Sequence, residues 1–258
     1  TEDFKKSFFG NGNEVAIKVN EVKSLDDPSD YGIFTLLGRG ESKFTGSGAS
    51  RVHNLSLAAE RTNGVLVPPG EIYSFNNSVG EISKETGYDT GYIISNGRTV
   101  LGEGGGVCQT STTMFRAVLN SGLPVITRNP HAYRVVYYEI DKPVGFDAAV
   151  YQPSLDFEFM NDTPNYVLIQ TEFNPSAYTL AFEIYGTPDG REVEISEPVV
   201  SNLVPPPEPL YKDTDELAPG ETKQIDFAAW GSNAYFTREV TKNDEVLFKE
   251  TFSSSYQP

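Results

Sequence analysis

Cys108 is the only cysteine in this 258-residue chain, and His53 and His131 are its only histidines. One cysteine excludes an internal disulfide, so cysteine usage does not fix the redox compartment. One cysteine and two histidines cannot build a usual structural zinc site, and no metal or other cofactor is expected. Basic residues are also scarce, with 20 Lys and Arg against 36 Asp and Glu and a formal net charge of −16. No cluster of cations supplies the basic face that nucleic-acid binding needs, which excludes that class of partner. The acidity itself is read as solubility, and runs such as Asp213-Thr214-Asp215-Glu216 as solvated loop. No stretch approaches the roughly 20 apolar residues of a membrane span. No export signal is visible, which leaves a membrane anchor upstream of position 1 open. The oligomeric state cannot be read from the sequence.

Glycine and proline are plentiful and spread along the chain, 23 and 17 residues, beside 14 Tyr and 16 Phe. That composition favours many short strands and turns over a helical bundle. The expected fold is α+β, a mixed helix and sheet domain followed by a small all-β module. Residues 1–33 read as an N-terminal extension or the remnant of an upstream domain, with a strand at 15–19. Residues 34–190 read as the main domain and 191–258 as the β module. Within the main domain the pattern predicts a core strand at 34–39 and a helix at 54–63, capped by Asn54 and ended by Gly64. A strand is expected at 71–75, and a hairpin at 91–101 about the Asn96-Gly97 turn. A helix is expected at 108–121, stopped by Gly122, then strands at 133–140 and 147–151 and a strand pair at 155–172 and 178–185. Pro205-Pro206-Pro207 is stiff and extended. Strands are expected at 192–200, 221–229, 233–241 and 245–252.

The chemistry concentrates around Gly104-Gly105-Gly106-Val107-Cys108-Gln109-Thr110-Ser111-Thr112-Thr113. Three residues without side chains precede a helix, so backbone N–H groups of Gly105 and Gly106 can approach a ligand closely. Cys108 then stands at the helix N-terminus, where unpaired amides and the macrodipole favour a thiolate and can hold a developing oxyanion. A lone cysteine is more often a small buried hydrophobe, and both readings stand at this point. Phosphate binding by the glycines is a poor rival, because no Gly-Lys-Ser/Thr ending follows. A nucleophilic thiolate wants a base. His131, entering a predicted strand after Pro130, is the first candidate, and His53, at a predicted helix start, the second. Asp147 begins the next strand and would lie at the same end of a hairpin as His131, as an orienting carboxylate or a turn cap. Arg51 and Arg134 could each take a substrate carboxylate in a bidentate grip, or sit in a structural ion pair. Gln109, Ser111 and Thr112 line the pocket or fill a polar first turn, and Tyr133 is a further candidate for substrate contact. Trp230 and Tyr256 read as core or surface aromatics of the β module.

These residues together resemble the VanW-like domain. The resemblance is carried by Phe44-Thr45-Gly46-Ser47, Arg51-Val52-His53-Asn54, Ala58-Ala59-Glu60 and Pro69-Gly70-Glu71-Ile72-Tyr73-Ser74-Phe75-Asn76. Most specific is the glycine-to-Thr113 block, followed by Arg128-Asn129-Pro130-His131-Ala132-Tyr133 and Gly145-Phe146-Asp147-Ala148. It runs in order over about 34–172, and 192–258 resembles the G5-type module that often follows. Asn129 and Ala132 depart from many relatives, which carry another residue at the first position and Ser at the second. The resemblance implies an extracytoplasmic envelope protein of the Gram-positive type, with peptidoglycan stem peptides as partners. It further implies L,D-transpeptidation, in which Cys108 takes the acyl group of a stem tetrapeptide and His131 shuttles protons. A non-catalytic wall-binding or scaffolding protein ranks second, and a thiol peptidase or amidase on the same stems third.

Overall fold

In the computed structural model residues 27–95 and 97–258 are described, so the strand expected at 15–19 lies outside the described residues. Among the described residues three α-helices and several antiparallel sheets make an α+β fold that is mostly β, and no sheet closes into a barrel. The first sheet joins β1 (Thr35–Lys43), β2 (Val65–Val67), β8 (Val167–Asn174) and β9 (Thr179–Gly186) in the order β1-β9-β8-β2. Alternation explains β9: Leu180, Phe182 and Ile184 are buried while Glu183 and Tyr185 point outward. Helix α1 (Ala49–Thr62) packs on this sheet through Leu55, Ala58 and Ala59.

A second, three-stranded sheet has the order β3-β7-β6, with β3 (Ile72–Ser74), β6 (Val125–Thr127) and β7 (Glu158–Met160). The short helix α2 (Phe75–Val79) follows β3 directly. Strands β4 (Thr90–Ser95) and β5 (Arg98–Glu103) form the expected hairpin, with Gly97 at φ 71°.

Helix α3 (Val107–Ser121) lies across β1 and β9. It begins at Gly106 (φ 116°) and ends at Gly122 (φ 71°), whose N–H bonds the Leu119 carbonyl. Two glycines of β1 allow this closeness. A Cβ on Gly38 would stand 2.3 Å from the Ser121 nitrogen, and one on Gly40 would stand 2.3 Å from the Ala117 nitrogen. A strand with no side chains at those points can press its backbone onto the helix, which fixes the height of α3 over the sheet.

The C-terminal strands form a further sheet. In it β12 (Gly231–Lys242) pairs along one edge with β10 (Arg191–Ile195) and β11 (Val199–Val204), and along the other with β13 (Glu245–Tyr256). Phe236 and Phe252 stack at 5.0 Å and belong to the same apolar cluster as Phe115 and Phe157. Burying each ring contributes about 1.5–3 kcal/mol. Arg238 of β12 is fully buried and donates to the carbonyls of Val118, Leu119 and Leu123 at 3.0, 3.1 and 2.8 Å, so it holds the C-terminal end of α3.

Several sequence expectations need correction: 155–172 holds two strands, β7 and β8, in different sheets, and 192–200 is divided between β10 and β11. The first long helix starts after Gly48, and Asn54 is one and a half turns inside it. Its buried amide bonds the Asp89 N–H and the carbonyls of Asp89 and Gly105, which ties the helix to the glycine turn. Residues 133–140 and 147–151 are not strands. A 3-10 turn (Val136–Tyr138) and two isolated bridges, Asn129 with Ala149 and Tyr151 with Leu155, replace them, and Tyr138 packs on His131 instead of pairing in a strand. Residues 221–229 form no strand, and Ile225 and Phe227 there are exposed.

Candidate active site

Helix α3 is buried almost all round. Of its 15 residues only Cys108 and Asn120 escape burial, and Cys108 is half-buried in the first turn. Cys108 thus stands at the N-terminal end of an otherwise enclosed helix, packed against the apolar core on one side. The Cys108 thiol donates to the Val150 carbonyl at 3.3 Å. Among the described residues the Cys108 N–H makes no hydrogen bond, as expected for an amide in a first helical turn.

His131 is buried beside the sulfur. Its Nδ1–H donates to Asp147 Oδ2 at 2.6 Å, and its backbone N–H donates to the same oxygen at 2.8 Å. With Nδ1 so engaged, Nε2 is the nitrogen left for the thiol. It is buried and has no hydrogen-bond partner of normal geometry among the described residues. A thiol turning from the Val150 carbonyl to Nε2 would satisfy that open atom, and such loosening is usual in an unliganded site.

Asp147 is held from three further directions. Tyr256 Oη donates to Oδ1 at 2.5 Å and Arg128 Nη2 donates to it at 3.0 Å, while Arg128 Nε holds the Asp147 carbonyl at 2.6 Å. Arg128 also reaches Ser254 Oγ at 2.9 Å. Tyr138 packs its ring on His131 at 4.9 Å, and its carbonyl accepts from buried Arg116 at 2.6 Å.

The electrostatics follow from this packing. Burial pushes the Cys108 thiol up, but His131 overrides it by hydrogen bonding and charge, helped by the Val150 backbone and by Arg51, so the thiol lies below its ordinary value. Burial alone would lower His131, yet Asp147 and Cys108 raise it to about 9. Burial would raise Asp147, but His131, Arg128 and Tyr256 hold it well below the usual carboxylate range. The three groups thus favour a thiolate, an imidazolium and a carboxylate in line.

The glycine turn packs tightly against its own chain. A Cβ on Gly105 would meet the Tyr92 carbonyl oxygen at 2.7 Å, and one on Gly106 would meet Arg51 Cγ at 3.0 Å. These glycines let the turn pack against β4 and α1 and so set where Cys108 emerges. Gln109, Ser111 and Thr112 are likewise buried and committed to their own chain. Gln109 bonds Ser42 Oγ and the Lys43 carbonyl at 3.0 and 2.9 Å. Ser111 donates to the Ala148 carbonyl at 2.7 Å, and Thr112 accepts from the Ala148 N–H at 3.0 Å. They seat the Asp147–Val150 segment against α3.

Arg51 donates to Ser47 Oγ at 2.9 Å and Gln109 Oε1 at 2.7 Å, and lies 4.4 Å over the Tyr137 ring. His53 is exposed and bonds the Gly87 carbonyl at 2.8 Å, so the ring beside the sulfur is that of His131. Arg134 is paired with Glu139 at 2.5 Å, and Tyr133 shares a 2.5 Å hydrogen bond with Thr99. Sequence reasoning missed Arg128, Tyr138 and Tyr256. Arg128 stood in a quoted motif, but Tyr256 lies 109 residues from Asp147 and no local pattern marks it.

A buried carboxylate orienting an imidazole beside a helix-borne thiol, on a mostly antiparallel α+β scaffold, defines the thiol–imidazole–carboxylate class of sites. The family model described as VanW like protein matches residues 50–185, more than half of the chain and all three of these residues. The chain belongs to the VanW family. It is 35% identical over 174 residues to the uncharacterized protein YoaR of Bacillus subtilis, covering 66% of this chain and 56% of that protein. It is 36% identical over 115 residues to the Vancomycin B-type resistance protein VanW of Enterococcus faecalis, covering 44% of this chain and 42% of that protein. The chain thus spans about half the length of these curated relatives. No solved structure matches it.

Proposed function

We propose that this protein is a cysteine acyltransferase of the bacterial envelope, exposed outside the cytoplasm, that carries out L,D-transpeptidation on peptidoglycan stem peptides. The observation that carries this reading is the position of Cys108. It is half-buried, one of two residues of α3 that are not fully buried, with the buried Nε2 of His131 beside it, unpartnered among the described residues. The name of the Enterococcus relative, which refers to vancomycin resistance, is in keeping with a role at the cell wall.

In this reading the Cys108 thiolate attacks the carbonyl carbon between the third and fourth residues of a donor stem. The oxyanion so formed is received by the free N–H of Cys108 at the helix N-terminus. Protonated Nε2 of His131 gives its proton to the departing amine nitrogen, the C–N bond breaks, and a thioester remains. An acceptor amine then attacks the thioester carbonyl and loses a proton to Nε2, and C–S cleavage restores the thiolate. Asp147 keeps the imidazole in the tautomer and orientation both steps need.

Incubation with a stem tetrapeptide and an acceptor amine, followed by mass spectrometry, tests the reading. A crosslinked product from the native protein and none from Cys108→Ala is expected. Hydrolysis alone would reassign the site to a peptidase or amidase. A thiol inert to alkylation in the folded protein, with no turnover, would leave a non-catalytic wall-binding role.

A further inference from the structure

The neighbourhood of the sulfur holds one cation whose partners are all neutral. Arg51 leaves α1 beside the first turn of α3, close enough that a Cβ on Gly106 would touch its Cγ at 3.0 Å, and it reaches Gln109, the residue after Cys108. Its chain therefore spans the helix start on either side of the nucleophile. Two of its N–H groups go to Ser47 Oγ and Gln109 Oε1, and its plane rests on Tyr137. Among the described residues no carboxylate pairs with it, whereas Arg39, Arg116, Arg128, Arg134, Arg191 and Arg238 each pair with an acid. Gln109 and Ser47 fix the guanidinium without neutralising it, and Gln109 is itself locked to Ser42 and Lys43. A half-buried guanidinium oriented by neutral acceptors and an aromatic face keeps donors free for a planar anion.

We propose that Arg51 is the binding group for a free carboxylate of the substrate, so that the thiol is presented with peptides whose scissile bond lies next to a C-terminal carboxylate rather than with internal or amidated linkages. This deepens the acyl-transfer reading and rests on it for the identity of the peptide. Arg134, the other arginine considered for this role, is neutralised by Glu139. An incoming carboxylate would occupy the guanidinium face left open by Ser47 and Gln109. Its peptide carbonyl, one residue back, would then lie toward the Cys108 sulfur.

Two measurements separate this inference from the reading it rests on. The first needs no peptide. Iodoacetate and iodoacetamide both alkylate a thiolate, the sulfur displacing iodide, and they differ in that one carries a carboxylate. The ratio of their rates at Cys108 should fall about tenfold or more in Arg51→Gln. Arg51→Lys should recover part of it, since the charge returns without the planar fork. The second is binding to Cys108→Ala, by calorimetry, of a stem tetrapeptide with a free C-terminus and of its C-terminal amide. The free acid should bind about tenfold or more tightly, and Arg51→Gln in that background should erase the difference. A rate ratio unmoved by both Arg51 variants, with equal binding of acid and amide, overturns the inference even if crosslinking occurs. Acid-selective binding that depends on Arg51, without crosslinking, sustains it while removing the transferase. Unchanged melting of both variants shows that a lost preference is not lost folding.

Discussion

Tyr256, the last residue of β13, donates its hydroxyl to Asp147 Oδ1 at 2.5 Å, and Asp147 in turn holds the ring of His131. The last strand of the C-terminal sheet therefore reaches the site, and Arg128 ties the same strand to the same carboxylate through Ser254 and Asp147. Burial first, and the Asp147 charge next, push the Tyr256 phenol up, so it remains a donor across ordinary pH.

Tyr256→Phe should keep the fold, since the ring stays and only one donor is lost. The carboxylate loses one of the groups that hold its pKa down, so the Asp147 pKa rises toward its ordinary value. Thermal melting from pH 2 to 6 should show the acid-side loss of stability beginning at higher pH than in the native protein. The stability cost at neutral pH should be about 1.5–3 kcal/mol, the range for a hydrogen bond to a charged group. An acid limb that superimposes on the native one would show that Tyr256 does not act on Asp147.

Cys108 and His131 should titrate as a pair. The thiol lies below its ordinary value and the imidazole is raised to about 9, so the ion pair holds between the two. Iodoacetamide labelling of Cys108 should stay fast below pH 8, where an ordinary thiol with a pKa of about 8.5 slows. A second change is expected near pH 9 as the imidazolium loses its proton. In His131→Gln the largest influence opposing the burial of the sulfur is gone, leaving the Val150 backbone and Arg51, and labelling should shift to higher pH. Identical single titrations at the ordinary thiol value in both proteins would rule the pair out.

Much of the scaffold is legible in the sequence where a single period governs a long segment. The 108–121 helix, the β4–β5 hairpin, the β8–β9 pair and the strands β12 and β13 follow from local pattern. Failures come where tertiary contacts override it. Asn54 has the look of a helix cap, yet it is drawn inside a helix because its amide satisfies backbone groups of Asp89 and Gly105. The run Val135-Val136-Tyr137-Tyr138 has strand composition, yet it folds into a short turn that seats Tyr138 on His131. The glycine turn shows how one composition can serve two purposes, since close approach to a ligand and close approach to β4 demand the same missing Cβ. Tyr256 carries no signal at all, because its meaning comes from a contact across 109 residues.

The buried His131–Asp147 pair makes stability depend on pH with two signs. His131 has a folded pKa raised to about 9 from a reference of 6.5, so its contribution is full below 6.5 and is lost as pH rises through 9. Asp147 has a folded pKa depressed below its reference of 3.8, so its contribution is full above 3.8 and is lost as pH falls through the folded value. Urea midpoints measured across pH 3 to 10 should therefore be highest between these references and fall on either side. Asp147→Asn should flatten the alkaline limb, because the imidazole loses the charge that raises it. An alkaline limb of unchanged slope in that variant would detach His131 stability from Asp147.

Gly40→Ala tests how α3 is held. The added methyl would stand 2.3 Å from the Ala117 nitrogen, 2.5 Å from the Thr113 carbonyl oxygen and 2.7 Å from the Arg116 carbonyl carbon. All three are helix backbone, which cannot rotate out of the way as a side chain can. Either β1 or α3 must move, and overpacking of this kind costs about 1–3 kcal/mol or more. Movement of α3 would strain the Ser42–Thr113 hydrogen bond at 2.6 Å and carry Cys108 away from His131. The variant should therefore lose the fast, low-pH labelling of Cys108 along with stability. Gly48→Ala is the control, since its φ of −71° suits any residue and nothing lies within 4 Å of the new methyl. Its cost should stay at about 1 kcal/mol or less, the size of a weakened helix cap, with labelling unchanged. If Gly40→Ala melts and labels like the native protein, the glycines of β1 do not set the position of the nucleophile.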